Sequence, residues 1–405
     1  MTEKLKGNVL IGQSGGPTCV INQSLVGIVL EALKHEEITG IYGAEYGIKG
    51  ILNETFFDLG REDKATLEKV AATPCSGLGS VRKKPTGEEC HRVLEIFKKY
   101  NIRYFFYIGG NDSAETAHIV ADIAIAHNYE MRLFHVPKTI DNDLLVTDHC
   151  PGYGTAAKFV AMAIMGDNLD NRSIPGIKVD VIMGRHAGFL TAASSLARKY
   201  DDDAPHLIYL PERAFHVDRF LADVEEVYSR LGRVVIAVSE GISGEGGEPL
   251  YTTGEVDSHG NVQLSGTGAL GDFLTNLIKT KMKTKGSLRV RSDTFGYLQR
   301  SFPGIVSEVD AREARLVGEE AVRQALSSGG NGSIALRRLN NGKDYQVEAF
   351  LTPLSSVARK TKLMPPEFIA EAGNDITEAF VSYARPLVGS LPEIGRLKGI
   401  KVAKK

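Results

Sequence analysis

The chain has 405 residues, and 48 basic against 50 acidic residues give it a formal net charge of −2. Hydrophobic residues make up 42% and charged residues 24%, a composition that excludes a disordered chain. The 43 glycines are an excess without a three-residue period, which excludes collagen. A near-zero net charge gives no electrostatic reason to expect nucleic acid or an anionic membrane as a partner.

No targeting or membrane-spanning pattern is visible in the sequence. No apolar run approaches the ~20 residues that span a bilayer, and the N-terminal segment MTEKLKGNVLIG lacks a signal-peptide pattern. The four cysteines lack CxxC spacing and are expected to be reduced thiols. We therefore expect a soluble cytoplasmic protein with no nucleic-acid or membrane partner.

Short apolar runs alternate with longer helical patterns along the chain. The apolar runs predict strands at 8–11, 104–108, 133–136, 179–183 and 234–238. The helical patterns predict helices at 22–34, 114–127, 155–169, 217–231, 269–282 and 311–326. This alternation predicts an α/β fold whose mainly parallel sheets are covered on both faces. The glycine- and polar-rich stretch 241–260 is expected to be a mobile loop.

Glycines collect where the predicted strands end, and ligands of such sheets bind beyond the carboxyl ends of the strands. A glycine exposes its backbone N–H at close range, and a helix N-terminus behind it favours an anion. One such turn is more often a tight connection, but several at one sheet edge favour a phosphate ligand. The glycines concerned are Gly12, Gly15, Gly16, Gly109, Gly110, Gly184 and Gly241.

Two polar segments follow predicted strands at this edge. Asn111 and Asp112 follow one strand, and the segment from Lys138 to Asp143 follows the next. In that second segment, two carboxylates at i and i+2 can serve different partners, a Mg²⁺ ion and a hydroxyl that loses its proton during phosphoryl transfer. The same Asp-Asn-Asp run is also good turn chemistry, so the segment alone leaves both interpretations open.

Arginines and one further carboxylate follow the later strands. Arginine binds phosphate as a bidentate fork, although a lone strand-end arginine is more often a surface ion pair. Of the neighbouring residues, His186 is interpreted as structural and Asp201 to Asp203 as a solvated turn. The candidate ligands are Arg82, Met183, Gly184, Arg185, Glu240, Arg291, Tyr297 and Arg300.

Eight motifs occur in the order found in the phosphofructokinase family, and the chain resembles that family over nearly its whole length. The motifs are SGG, GLGSVR, IGGNDSAETA, PKTIDNDL, GYGTAAKF, VIMGRHAGFL, SEGI and FGYLQR. The resemblance implies two Rossmann-like three-layer domains with the active site in the cleft between them. It places 1–152 plus 304–405 in a phosphoryl-donor domain and 153–303 in a fructose 6-phosphate domain.

The resemblance also implies roles for the candidate residues. Asp141 would deprotonate the 1-hydroxyl of fructose 6-phosphate, Thr139 would hold the transferring phosphoryl group, and Asn111 and Asp143 would bind Mg²⁺. Arg291 would reach the sugar site of a neighbouring subunit, so a homodimer or homotetramer is implied. The residues that would bind fructose 6-phosphate are Thr139, Asp141, Met183, Gly184, Arg185, Glu240, Arg291, Tyr297 and Arg300. Those that would bind the donor are Gly16, Arg82, Gly110 and Lys138.

Asp112 and Lys138 stand where relatives that use ATP carry glycine. The Asp112 carboxylate would repel a nucleotide's α-phosphate, and the Lys138 ammonium would neutralise the transferring phosphoryl group. Both indicate the pyrophosphate-dependent branch, which EAGNDITEAFVSYARPLVGSLP near the C-terminus also resembles. Asp112, Lys138, Thr139, Asp141 and Arg185 are the expected catalytic residues of a reversible glycolytic transfer from diphosphate that yields fructose 1,6-bisphosphate and phosphate.

The chain departs from the family at a few positions. Asn111 stands where most relatives have an Mg²⁺-binding aspartate, and Gly176 aligns with an interface arginine that Lys178 or Arg172 would have to replace. The first helix lacks the arginines that bind effectors in allosteric relatives, so hyperbolic kinetics are expected.

The alternative functions for the chain are an ATP-dependent 6-phosphofructokinase and a catalytically silent sugar-phosphate-binding regulator. A nucleotide-binding oxidoreductase is disfavoured, because the first strand leads to GQSGGP and not to GxGxxG.

Overall fold

The computed structural model describes residues 5–251, 268–283, 287–358 and 361–403. The strands in these ranges are β1 (Gly7–Gln13), β2 (Ile38–Ala44), β3 (Phe56–Asp58), β4 (Ile102–Gly109), β5 (Arg132–Pro137), β6 (Ile177–Ile182), β7 (Leu207–Tyr209), β8 (Val234–Ser239), β9 (Val290–Thr294), β10 (Gly332–Asn340) and β11 (Gln346–Thr352).

The helices alternate with these strands for most of the chain. They are α1 (Ile21–Ala32), α2 (Ile48–Asn53), α3 (Lys64–Ala71), α4 (Gly87–Lys99), α5 (Asn111–Ala126), α6 (Tyr153–Ser173), α7 (Phe189–Ala193), α8 (Val217–Leu231), α9 (Ala269–Lys281), α10 (Glu308–Ser327), α11 (Leu354–Val357) and α12 (Glu378–Val388).

The strands form two sheets, and the prediction of an α/β fold with mainly parallel sheets is confirmed. The larger sheet has the order β11-β10-β5-β4-β1-β2-β3, with antiparallel pairing only at its two edge strands, β3 and β11. The smaller sheet has the order β7-β8-β6-β9 and is parallel throughout. Parallel pairing brings the carboxyl ends of the central strands to one edge of each sheet.

Each face of the larger sheet carries its own apolar core, because successive side chains of a strand point to opposite faces. In β4, Phe106 packs on one face with residues of α1 and α10, and Phe105 packs on the other with residues of α4 and α5. Both phenylalanine side chains are fully buried. The result is a helix–sheet–helix sandwich, as predicted from the continuous apolar strands.

The helix that follows β4 begins three residues before the predicted start, which brings Asn111 and Asp112 into its first turn. Polar and acidic residues suit that position because they face the unpaired N–H groups of the first turn. The short edge strands of both sheets were not predicted, since a strand such as β9 (VRSDT) is polar and half exposed. In the expected mobile stretch 241–260, residues 252–260 lie outside the described part of the chain.

The C-terminal helix α12 lies across the helices of the smaller sheet. Phe380, Ala384 and Leu387 of α12 share a core with Tyr153 of α6 and Phe189 of α7. Residues numbered above 304 therefore pack against residues within 153–303. The division into a donor domain and a sugar domain stays a prediction.

The Asp201–Asp203 turn is less solvated than the sequence predicted. Asp203 is buried and accepts hydrogen bonds from Asn168 and from the backbone N–H of Tyr200 at 2.7 and 2.8 Å. Arg396 also contacts its carboxylate. The interpretation as a solvated turn is thus wrong for Asp203, because an arginine far along the chain covers it. None of the helices formed by the described residues has the length and apolarity to cross a membrane.

Candidate active site

A cleft of about 430 Å³ lies where the carboxyl ends of the two sheets face each other. It is the place that the glycine-rich strand ends predicted. Most of the candidate residues line it, including residues from both predicted domains. They are Gly16, Arg82, Gly110, Asn111, Asp112, Lys138, Thr139, Asp141, Asp143, Met183, Arg185, Glu240, Tyr297 and Arg300.

The glycines after β1 leave room for cationic side chains. A Cβ atom on Gly16 would lie 2.6 Å from Nη1 of Arg300 and 3.6 Å from Nη2 of Arg82. Gly15 has a φ of +77°, and a Cβ there would lie 3.2 Å from Nζ of Lys138. Three cationic groups therefore converge on this turn, a side chain at Gly16 would displace the Arg300 guanidinium, and the positive φ of Gly15 favours glycine there.

Lys138 is the cation at the bottom of this group. Its side chain is buried, and its ammonium donates a hydrogen bond of 2.7 Å to the carbonyl oxygen of Gly16. Burial, followed by repulsion from Arg300 and Arg82, lowers the pKa of Lys138 to about 7. A polyanion in the cleft would reverse that repulsion and favour the ammonium form.

Asp141 and Asp143 face the cleft from the loop after β5. Burial, followed by repulsion from Asp143 and Glu240, raises the pKa of Asp141 to about 7. Burial also raises the pKa of Asp143. Thr139 holds the loop locally, since its Oγ1 accepts a hydrogen bond of 3.1 Å from the backbone N–H of Asp141. A carboxylate with a pKa near neutral pH suits proton transfer from a hydroxyl.

Asn111 and Asp112 lie at the N-terminus of α5, which opens onto the cleft. The amide oxygen of Asn111 accepts a hydrogen bond of 3.0 Å from the backbone N–H of Asp112. That oxygen is therefore already engaged, and Asp143 has the stronger claim to a metal ion. Asp112 itself is exposed, so its charge faces the entrance of the cleft.

The smaller sheet contributes the other wall. The Glu240 carboxylate is buried and accepts a hydrogen bond of 3.4 Å from the backbone N–H of Gly184. The guanidinium of Arg300 lies 4.6 Å from the ring centroid of Tyr297, a cation–π distance. Gly184 does not itself line the cleft, and its φ of +133° shapes the turn that presents Met183 and Arg185.

Arg291 is the candidate residue that the structure leaves far from this wall. It lies on the edge strand β9, is exposed, and does not line the cleft. Its Nη1 donates a hydrogen bond of 3.0 Å to the carbonyl oxygen of Val290. Within one chain, the fold therefore does not bring Arg291 to the cleft with the other candidate residues.

Gly176 aligns with an interface arginine of ATP-using relatives, and its surroundings show whether Lys178 or Arg172 is available to replace that arginine. Lys178 contacts Asp167 and Asp293, and Arg172 contacts Asp202 at 2.6 Å. The space above Gly176 is instead filled by Arg289, whose Cβ would lie 3.1 Å from a Cβ on Gly176. Neither of the two expected substitutes is available without breaking an ion pair.

Some residues that line the cleft were not predicted as ligands. Ser14, Thr116 and Thr361 line it, and so does His186, which the sequence interpretation had left as structural. His186 follows Arg185 directly, and that adjacency was the available signal. Thr361 had none, because it comes from a C-terminal segment with no strand or glycine pattern.

Comparisons with known proteins agree with the geometry of the cleft. A family model described as phosphofructokinase matches residues 8–325. A pyrophosphate–fructose 6-phosphate 1-phosphotransferase of Rhodospirillum rubrum is 54% identical over 404 residues, 98% of each chain, and one of Xanthomonas campestris is 39% identical over 98% of each. The crystal structure of a pyrophosphate-dependent phosphofructokinase from Marinobacter aquaeolei superposes with a TM-score of 0.84, at 32% identity over 98% of both chains.

Proposed function

The chain belongs to the phosphofructokinase family, and we propose that it reversibly transfers a phosphoryl group from diphosphate to the 1-hydroxyl of fructose 6-phosphate. The products are fructose 1,6-bisphosphate and phosphate. The observation that carries the proposal is the position of Lys138, buried in the cleft beside Arg82 and Arg300. Relatives that are 54% and 39% identical carry the name of this activity.

The donor is inferred from charge. Three cations around the Gly15–Gly16 turn match a small, highly charged anion, and a phosphoryl group in transfer is stabilised mainly by such charges. Asp112 at the entrance adds a negative charge where a longer nucleotide would have to pass. Both features favour diphosphate over ATP.

Asp141 is proposed as the general base that takes the proton of the sugar hydroxyl. Its pKa of about 7 follows from burial and from the neighbouring carboxylates, and it makes the group able to accept a proton near neutral pH. Thr139 and Arg185 line the cleft beside it and are proposed to orient the transferring group. The hydroxyl proton passes to Asp141 as the hydroxyl oxygen bonds to phosphorus, while the bridging P–O bond of diphosphate breaks and phosphate leaves.

Mg²⁺ is the proposed metal, and the donor set fits it. Asp143 offers hard carboxylate oxygens that line the cleft, where the phosphate oxygens of the donor would supply further ligands. When bound, the ion neutralises negative charge on the phosphates. Asn111 is a weaker candidate because its amide oxygen already accepts a backbone hydrogen bond.

The sugar is proposed to bind Met183, Gly184, Arg185, Glu240, Tyr297 and Arg300, with Arg291 supplied by a second copy of the chain. Glu240 can accept hydrogen bonds from sugar hydroxyls, and the arginines can hold the 6-phosphate. A homodimer or homotetramer is proposed with it, and the exposed position of Arg291 on an edge strand is compatible with contact to a second copy. We propose the cytoplasm as the compartment, since the substrates are phosphorylated metabolites.

A matrix of donors and acceptors tests the proposal. Initial rates are measured with diphosphate or ATP as donor and with fructose 6-phosphate or sedoheptulose 7-phosphate as acceptor, in both directions and with Mg²⁺. We expect turnover with diphosphate and fructose 6-phosphate, hyperbolic in both. Turnover with ATP and none with diphosphate would overturn the proposal.

A further inference from the structure

The loop that carries the candidate catalytic carboxylates has no regular secondary structure of its own. We call residues 138–152, between the end of β5 and the start of α6, the catalytic loop. Asp141 and Asp143 both line the cleft from this loop, and Asp143 is one of the groups that raise the pKa of Asp141. Because the loop lacks the hydrogen bonds of a helix or strand, contacts from other segments are needed to hold both carboxyl groups at the cleft.

Asn142, between the two carboxylates, ties the loop to itself. Its backbone has a φ of +59°, and its side chain is fully buried. The amide oxygen accepts a hydrogen bond of 2.9 Å from the backbone N–H of Cys150, which closes the loop across eight residues. The amide nitrogen donates one of 2.8 Å to the hydroxyl of Tyr383.

Tyr383 connects this point to the C-terminal helix α12. Its hydroxyl accepts from Asn142 and donates a hydrogen bond of 2.9 Å to the carbonyl oxygen of Asp148, so one phenol bridges two points of the catalytic loop. Arg338 fixes the ring from one side, with its guanidinium carbon 4.7 Å from the ring centroid. Packing of the ring against Arg338 therefore helps to hold the Tyr383 hydroxyl where it forms its hydrogen bonds with the catalytic loop.

Lys362 makes a second clamp on the same loop. Its backbone N–H donates a hydrogen bond of 2.7 Å to the carbonyl oxygen of Asp143. Its ammonium donates to the carbonyl oxygens of Thr147 and Asp148 at 3.1 and 3.0 Å. Three carbonyl groups of the catalytic loop are thus satisfied by one residue of the C-terminal segment.

We propose that Tyr383 and Lys362 are positioning residues, which hold the catalytic loop so that Asp141 and Asp143 face the cleft. Both lie beyond residue 325, where the match to the phosphofructokinase family model ends. The C-terminal segment therefore acts on catalysis by holding the catalytic loop in position, and not by contact with substrate. The inference rests on the proposed function for its kinetic consequence, but the order of the loop can be measured without turnover.

The first experiment is hydrogen–deuterium exchange on the full chain, comparing wild type with Tyr383→Phe and Lys362→Met. Loss of one hydrogen bond is worth about fivefold in a local opening equilibrium, so peptides covering 139–152 should exchange about five- to tenfold faster. Tyr129→Phe and Lys158→Met are matched controls, because each also loses a side-chain hydrogen bond to a backbone carbonyl, away from the loop. Lys362→Arg should restore most of the protection.

Kinetics supply the second readout. A misplacement of about 1 Å can cost up to about 10²-fold in rate, so we expect kcat to fall about 10- to 100-fold in Tyr383→Phe and Lys362→Met while both KM values stay within about twofold. Wild-type exchange of the loop in both variants would overturn the inference. So would a loss of protection spread over the whole chain, which would mean a general loss of stability. Absence of diphosphate turnover in wild type would overturn the proposed function, and the exchange result would still decide the role of the two residues.

Discussion

The two sheets contribute to the cleft in different ways. On the side of the larger sheet, Lys138 is buried, and its ammonium is held by the Gly16 carbonyl of the same chain. On the side of the smaller sheet, the Tyr297 side chain is 43% exposed, and Arg291 lies outside the cleft on an edge strand. Lys138, at the bottom of the proposed donor half of the cleft, is therefore buried, whereas Tyr297 and Arg291 of the proposed sugar half are exposed.

This difference sets the size of the effects expected from substitutions. Charges that are buried act through a low dielectric, and their removal should cost more than removal of charges at a wet rim. An exposed arginine on an edge strand is also free to meet a second copy of the chain. The comparison therefore predicts the largest effect at the buried Lys138 and smaller effects at exposed residues, with the effect at Arg291 dependent on assembly.

The largest effect is expected for Lys138→Met. A cation that stabilises the transferring phosphoryl group is worth about 10³- to 10⁵-fold in rate, so kcat with diphosphate should fall at least about 10³-fold. Circular dichroism should show an intact fold, since methionine keeps the apolar stem. Lys34→Met, which loses an ion pair only with Glu31, is the control. Turnover within a few-fold of wild type would show that the donor half does not depend on this ammonium.

Arg291→Ala tests whether the sugar half is completed by a second chain. Loss of a charged hydrogen bond to a phosphate should raise the KM for fructose 6-phosphate about 10- to 100-fold with little change in kcat. At a fructose 6-phosphate concentration near the wild-type KM, where Arg291→Ala turns over slowly, mixing this variant with Lys138→Met should restore activity, because one site of each mixed dimer then has both residues. A mixture as inactive as its two components would contradict the sharing of Arg291 between chains.

Asp112→Gly tests discrimination against ATP at the entrance. Asp112 is exposed, so its repulsion of a nucleotide phosphate is screened and worth about 1 kcal/mol, close to a fivefold to tenfold effect. We expect ATP to compete with diphosphate about five- to tenfold more tightly in the variant, measured as its inhibition constant. Asp122→Asn, an exposed acid on the same helix, should leave that constant unchanged.

The smallest effect concerns a buried ionic cluster in which His149 of the catalytic loop contacts Asp148 of the same loop and Glu313 of α10. Burial alone would lower the pKa of His149, but Glu313 at 2.5 Å and Asp148 at 2.8 Å outweigh it, and the net shift of the pKa is upward. A raised pKa contributes stability that is fully present below the unfolded-state pKa of ~6.5 and is lost as the pH rises through the folded-state pKa.

Urea unfolding of wild type and His149→Gln at pH 6 and pH 9 measures this contribution. The free energy of unfolding of wild type should fall more between these pH values than that of the variant, because the folded state favours the protonated imidazole and loses that advantage as the pH rises. Equal pH dependence in both proteins would mean that His149 does not change its charge over this range in the folded state.

The parts of the site that follow strands could be predicted. Lys138 and Asp141 follow an apolar run, and the rule that ligands bind beyond the carboxyl ends of parallel strands placed them at the right edge. Arg291 precedes the FGYLQR motif, yet the structure puts it on an edge strand and not among the residues that line the cleft. A motif identifies a chemical group, but it does not say which chain's site the group faces.

The supports of the site could not be predicted. Tyr383 meets Asn142 across 241 residues of sequence, and Lys362 meets Asp143 from a segment with no regular pattern. Their hydrogen bonds depend on how α12 packs over the helices of the smaller sheet, which is a matter of shape and not of periodicity. Asp203 was misjudged for the same reason, since Arg396 covers it from the far end of the chain.

The sequence by itself determined the fold class, the sheet edge at which the candidate phosphate ligands lie and the chemical identity of its charged residues. These follow from local patterns, because apolar periodicity selects strands and helices and glycine permits close approach of the backbone. Only the tertiary structure decided the burial of Lys138 and Asp141, and with it their pKa values near 7. Burial and the distances between charges arise from segments far apart in the chain, and these two quantities govern the electrostatics of the cleft.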